Sequence, residues 1–198
     1  MKLEPRMVPQ PLWGITLRAD LGERWLPEVS RPVRDHAQTC AMCGGRGDCR
    51  RSNWRLCCDE VWSYSDADPV VSAVIAKLGT DPAKLRAVED LIPGLAYQLL
   101  DSPPIAKLVD LQALCWTCNA MIHFGHTETT VGWPTCEGVV RHAARINGVD
   151  PDAMMERVFY EQAAWLIRSA VPDWSITWVG WEAIRDHRAA LKVDGAIR

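Results

Sequence analysis

Asp110-Leu-Gln-Ala-Leu-Cys115-Trp-Thr-Cys118-Asn119-Ala-Met-Ile-His123-Phe-Gly125 is the stretch whose reading decides the fold. It has three parts: a short alternating apolar run, a Cys-x-x-Cys knuckle, and a helix expected to open at Asn119. Positions i and i+4 share a helix face, so Asn119 and His123 can address one centre. A Cys pair of this kind needs a partner pair. The other Cys-x-x-Cys is Cys40-Ala-Met-Cys43, followed by Gly44-Gly45. Four thiolates in two knuckles are what a closed tetrahedral zinc site requires. The spacer between the pairs, residues 44–114, is far longer than in compact zinc modules, so it must hold structure of its own.

Working outward, residues 105–114 read as a strand entering the second knuckle. Leu56–Tyr64 reads as another, with Val61 and Trp62 supplying β-propensity. Between them lies a helical insertion. Asp68-Pro69 and Asp81-Pro82 are both an N-cap followed by a first-turn proline, and a third short helix is expected from Gly94 to Leu100. On the N-terminal side, residues 1–11 read as an extended arm and Leu12–Leu17 as a strand. Residues 21–38 read as two short helices, because Pro27 and Pro32 interrupt one long one. On the C-terminal side, helices are expected over Gly138–Asn147 and from Asp150-Pro151 onward. The second has an apolar stripe of Met155, Val158, Phe159, Ala163, Leu166, Ile167 and Ala170. Trp174–Trp181 reads as a strand, and a polar helical tail follows.

Composition sets the frame. The 198 residues are enough for one domain with a real core. No run approaches the length of a membrane span, and the N-terminus lacks the apolar run of a secretory signal. Eight cysteines in such a chain point to a reducing, cytoplasmic setting, where Cys-x-x-Cys pairs are metal ligands more often than disulfides. A net charge of −3 argues against coating nucleic acid through bulk positive charge. A local basic patch remains open. RGDCRRSNWR carries Arg46, Arg50, Arg51 and Arg55, which are candidate phosphate contacts. Cys49, Cys57 and Cys136 read as small buried hydrophobes, and His36, His126, His142 and His187 as surface residues.

The order knuckle, strand, insertion, strand, knuckle, helix resembles the HNH nuclease family. The residues that carry the likeness are Cys40-x-x-Cys43-Gly44-Gly45, Glu60-Val61-Trp62-x-Tyr64, and Ala113-Leu114-Cys115-x-x-Cys118 with His123 five residues on. Small bacterial and phage HNH proteins look similar. The resemblance covers residues 12–64 and 105–181. It implies an α+β fold: a ββα-metal core with zinc knuckles and C-terminal helices over 1–64 and 105–198, with a helical insertion over 65–104.

The same resemblance implies a structural Zn²⁺ on Cys40, Cys43, Cys115 and Cys118. It also implies a catalytic Mg²⁺ or Mn²⁺ on Asp59, Asn119 and His123, and DNA as substrate. The chain departs from the family at several places. Asp59 stands where the general-base His belongs, and Cys58 precedes it where a hard ion wants oxygen. Asp110 stands for the central Asn. Two readings follow: a divalent-ion nuclease in which Asp59 becomes a ligand, or an inactive scaffold that binds a protein or nucleoprotein partner through the insertion, as in phage–host conflict. Restoring the family's base by Asp59→His is expected to speed cleavage if Asn119 and His123 hold a metal ion, and to lower it if Asp59 is itself an essential ligand.

Overall fold

The computed structural model describes residues 2–37, 39–46 and 56–190. Residues 2–9 have no regular structure, and a 3-10 turn covers Gln10–Leu12. Helices follow at Leu17–Leu21 (α1) and Arg31–His36 (α2), joined by a π-turn over Leu26–Ser30. The first long strand is Cys57–Ser63 (β1). Three helices come next: Asp68–Leu78 (α3), Pro82–Arg86 (α4) and Ile92–Leu99 (α5). The second strand, Ile105–Leu114 (β2), runs into Trp116–Ile122 (α6) and Phe124–Val131 (α7). Trp133–Asn147 (α8) and Pro151–Ala170 (α9) form the long helices. Ser175–Thr177 (β3) and Trp181–Ala190 (α10) end the described chain.

The fold is α+β. β1 and β2 pair antiparallel, with Asp59 opposite Gln112 and Val61 opposite Asp110. The register shifts between Val61 and Trp62, which is how a bulge re-aims the strand beyond it. β3 joins the free side of β2 in parallel, Ile105 beside Ser175. The main core lies between this sheet, α6, α8 and the N-terminal segment; Leu3, Leu17, Leu111, Leu114, Met121, Phe124 and Met154 are wholly buried in it. A second cluster joins the insertion to α9: Val70, Val71, Val74, Leu85, Ile92 and Ala96 pack on Ala163, Ala164 and Ile167.

Of the insertion's helices, α4 starts where the sequence places it, whereas α3 takes Ala67 rather than Asp68 as its N-cap, with no side-chain cap bond, and α5 begins at Ile92 rather than Gly94. The Asp81 carboxylate accepts the Ala83 N–H at 2.9 Å, an N-cap one residue ahead of Pro82. The Asp150 carboxylate does the same for Asp152 ahead of α9.

Elsewhere the structure corrects the reading. Leu12–Leu17 is no strand. Gly14 has φ +79°, open to glycine, and the Thr16 hydroxyl accepts the Ala19 N–H at 3.1 Å and starts α1 instead. The alternation there reflects burial of Leu12 and Leu17 alone. The Trp174–Trp181 strand shrinks to three residues. In α9 the buried face carries Met154, Val158, Glu161, Ala164 and Ile167, while Phe159 stays half exposed.

Glu161 explains that phase. Its Oε1 accepts the Met7 N–H at 2.9 Å and the Arg168 guanidinium at 3.0 Å. The N-terminal arm is held along its length by such bonds. Leu3 N–H donates to Asn147 Oδ1, Asn147 Nδ2 donates to the Leu3 carbonyl, and Arg6 N–H donates to the Ile122 carbonyl. The arm therefore passes the end of α6, where His123 sits.

Candidate metal centre and the Asp59–His123 pair

The first knuckle is a tight turn docked on the sheet. Cys40 N–H donates to the Gly45 carbonyl at 2.7 Å, and Gly44 N–H to the Cys40 carbonyl at 2.9 Å. Gly44 takes φ +68°, and a Cβ on Gly45 would meet Cys43 Sγ at 3.3 Å. Ala41 N–H then donates to the Ala113 carbonyl at 2.9 Å, which fixes the turn against the end of β2. Cys115 is the N-cap of α6 and Cys118 lies in its first turn.

The four Sγ atoms of Cys40, Cys43, Cys115 and Cys118 lie within 4.8 Å of one another. Cys43 Sγ and Cys115 Sγ are 3.8 Å apart. That is too long for a disulfide, and sulfurs about 2.3 Å from one tetrahedral ion stand about 3.8 Å from each other. The cluster can thus hold a metal ion such as zinc. Its electrostatics agree. Hydrogen bonds from Cys115 and Cys118 pull the Cys40 thiol down, while contacts with Cys115 and Cys40 push the Cys118 thiol up. One thiolate forms readily, and further ones need a cation beside them.

His142, read from the sequence as a surface residue, belongs to this centre. Its Nε2 lies 3.3 Å from Cys118 Sγ, and its Nδ1 lies 3.1 Å from the Arg145 guanidinium. Nothing in the sequence marks it, because it comes from α8 with no knuckle spacing. Of the other cysteines, Cys136 is buried as expected and Cys57 only partly so; Cys49 falls outside the described residues. His126 and His187 are exposed.

The second constellation spans β1 and the α6–α7 junction. Asp59 points inward from β1 and is 9% exposed. Its Oδ1 lies 2.7 Å from His123 Nε2. Its other oxygen, Oδ2, is buried with no partner among the described residues. His123 is the residue between the two helices, at φ −96° and ψ 43°. Burial lowers its pKa, but the bond and charge of Asp59, with Glu60 behind them, outweigh burial and leave it raised. Glu60 turns the other way: Oε1 accepts the Arg18 N–H at 2.7 Å and Oε2 the Trp62 indole N–H at 2.9 Å. Burial first of all lifts the Glu60 carboxyl.

Asn119 sits inside α6, which starts three residues before the expected opening; Cys115 φ/ψ is already extended and Trp116 is the first helical residue. The His123 N–H donates to the Asn119 carbonyl at 3.0 Å. The Asn119 side chain makes no hydrogen bond among the described residues, so Asp59 and His123 are brought together and Asn119 is their neighbour through the helix only. Asp110 serves its own strand, accepting the Leu111 N–H at 2.8 Å and the Gln112 amide at 3.2 Å.

Two spaces meet at His123. One, of about 10 Å³, lies against Arg6, Asp59, Tyr64 and His123, the scale of a single water or ion. The other is a half-open cavity of about 700 Å³ whose lining includes His123, Gly125, Trp13 and Trp165. Pro82 and Arg86 of the insertion stand on its rim. Arg46 is exposed and not among the cavity residues; Arg50, Arg51 and Arg55 lie outside the described residues. Among the described residues, no helix is long and apolar enough to cross a membrane. Comparison of the chain with protein-family models, with curated proteins and with solved structures finds no match.

Proposed function

We propose that the chain is an HNH-like protein that hydrolyses nucleic-acid phosphodiesters, with a structural zinc on its four clustered cysteines and Asp59 and His123 as its reacting pair. The supporting observation is the 2.7 Å contact between Asp59 Oδ1 and His123 Nε2. It forms where an antiparallel strand pair meets the helix that follows, beside the cysteine cluster.

The pair has the form of an oriented general base. Asp59 holds the proton on Nε2, which leaves Nδ1 as the acceptor. Burial lowers the His123 pKa, and the bond and charge of Asp59 outweigh it, which makes the neutral ring the stronger base; proton acceptance from water by a positioned side chain is typically worth about 10²–10⁴-fold. Arg86, on the same cavity, offers positive charge to a phosphate. The donor set also suits a divalent ion. Asp59 Oδ2 is a buried oxygen with no partner among the described residues. Asp59, through Oδ2, is the residue that would hold Mg²⁺ or Mn²⁺ while the His123 ring stays free to accept a proton; the ion would supply Lewis-acid polarisation of the phosphate.

A second reading keeps the fold and drops the chemistry: a non-catalytic HNH-fold subunit that binds a protein or nucleoprotein partner. The observation in its favour is the position of Pro82 and Arg86, which brings the insertion to the rim of the cavity. Cleavage of plasmid and of single-stranded DNA with Mg²⁺, Mn²⁺ and Ni²⁺ decides between them. The hydrolytic reading expects cutting that His123→Ala abolishes. Parent protein inert with all three metals overturns it.

A further inference from the structure

The cavity beside His123 is built around two indoles. Trp13 and Trp165 stack with ring centroids 6.2 Å apart and planes at 19°. Both indole N–H groups donate to one acceptor, the Val8 carbonyl, each at 2.9 Å. A single carbonyl of the docked N-terminal arm thus orients both rings. Their rotamer freedom is already spent before any ligand arrives, which lowers the entropic cost of binding. Yet Trp13 remains 59% exposed. A core tryptophan would bury that face, and here it stands at the opening of a cavity of about 700 Å³.

We propose that this cavity binds single-stranded nucleic acid, with one base stacked on the Trp13–Trp165 pair and the adjoining phosphate toward His123 and Arg86. The inference rests on the phosphodiester reading and names its substrate class. The volume is that of a site enclosing a small ligand. A base within a duplex already has both faces stacked and offers none to an indole unless it is extruded. An unpaired base offers its π-face freely, and aromatic stacking is the sequence-tolerant way to hold it. The net charge of −3 points the same way, since a duplex-covering surface needs many cations. Arg86 supplies a guanidinium to the cavity lining, which also carries the carboxylate of Glu128, whose Oε2 already accepts the Gln162 amide at 3.2 Å.

The test is tryptophan-fluorescence titration of the full chain with short oligothymidylate, short oligouridylate and a blunt DNA duplex, without divalent ions. At least one single strand should quench emission and bind at least about tenfold more tightly than the duplex. The two single-stranded arms separate DNA from RNA as the source. Trp13→Ala should weaken single-strand binding about 5- to 150-fold, one lost stacked base, with Trp13→Phe in between. Trp13 is largely exposed, so both variants should melt near the parent. Equal affinity for the duplex, unchanged binding by Trp13→Ala, or no binding of either single strand overturns the proposal. Binding at Trp13 without cleavage leaves it standing and removes the hydrolytic reading. Cleavage with binding indifferent to Trp13 does the reverse.

Discussion

His123 Nε2 lies 2.7 Å from Asp59 Oδ1, and the two residues come from opposite sides of a 64-residue separation in sequence. The contact has a signature in pH. The unfolded value of His123 is near 6.5, and in the folded chain Asp59 and Glu60 outweigh burial and raise it. A group with a raised folded pKa adds stability that is complete below about pH 6.5 and is lost as pH rises through the folded value. Melting temperatures of parent and His123→Gln, taken without added divalent ions, should therefore differ most at mildly acidic pH and converge as pH rises. A difference that grows with pH would contradict the assignment.

The cysteine cluster predicts metal content. Freshly purified protein should carry one zinc ion per chain by elemental analysis. Metal binding in such sites is folding free energy, about 10–16 kcal/mol for structural zinc in small modules. Cys115→Ser should lower solubility and melting temperature sharply. Cys136→Ser, at a buried thiol outside the cluster, should keep the metal. Zinc-free protein with an unchanged melt would sink this reading.

His142 should hold the centre from outside its four ligands. Removing a partner that is hydrogen-bonded to a ligand typically costs about 10–100-fold in metal affinity. His142→Ala should release metal to a chromophoric chelator faster by about that factor, at unchanged stoichiometry. Release at the parent rate would mean that the 3.3 Å contact with Cys118 Sγ contributes nothing.

Glu161 predicts the fate of the N-terminal arm. Burial lifts its carboxyl first, and Arg168 and the Met7 N–H pull it back. Glu161→Leu leaves the 11%-exposed Arg168 side chain without its closest anion, a loss of about 3–5 kcal/mol for a broken buried pair. It also frees the Met7 N–H. Limited trypsin digestion should then cut the variant after Arg6 well before the parent. Equal cutting would show that Asn147 and the Ile122 carbonyl hold the arm without Glu161.

The parts of the molecule legible in sequence are those specified locally. Proline after aspartate started α4 and α9, and alternation with β-branched residues gave β1 and β2. Paired knuckles gave the cysteine cluster. What escaped depends on contacts between distant segments. Leu12–Leu17 alternates like a strand, but Gly14 and the Thr16 cap decide its backbone. Phe159 fits an apolar stripe, yet Glu161 on the same helix faces inward because the Met7 N–H and Arg168 meet it there. His142 and the Val8 carbonyl act through partners 24 and 157 residues away, and no periodicity records that.

Position 59 is where the observed contact bears most directly on the family resemblance. The family resemblance expects Asp59→His to restore a base and speed cleavage if Asn119 and His123 hold a metal ion, and to lower activity if Asp59 is itself required. The contact between Asp59 and His123 favours the second outcome. Asp59 is buried, its Oδ1 is the partner of His123, and the space beside it is about 10 Å³, too little for an added ring. The substitution would also replace the anion that raises His123 with a second imidazole, so on the proposed reading His123 would lose both its orientation and its proton affinity. Asp59→His should therefore lower any nicking activity by about 10²–10⁴-fold, the usual worth of a general base, and Asp59→Asn should lower it without overpacking. Plasmid nicking by parent and both variants, with melts to confirm folding, checks this. Faster cutting by Asp59→His would show that position 59 itself belongs to the base and that His123 acts otherwise.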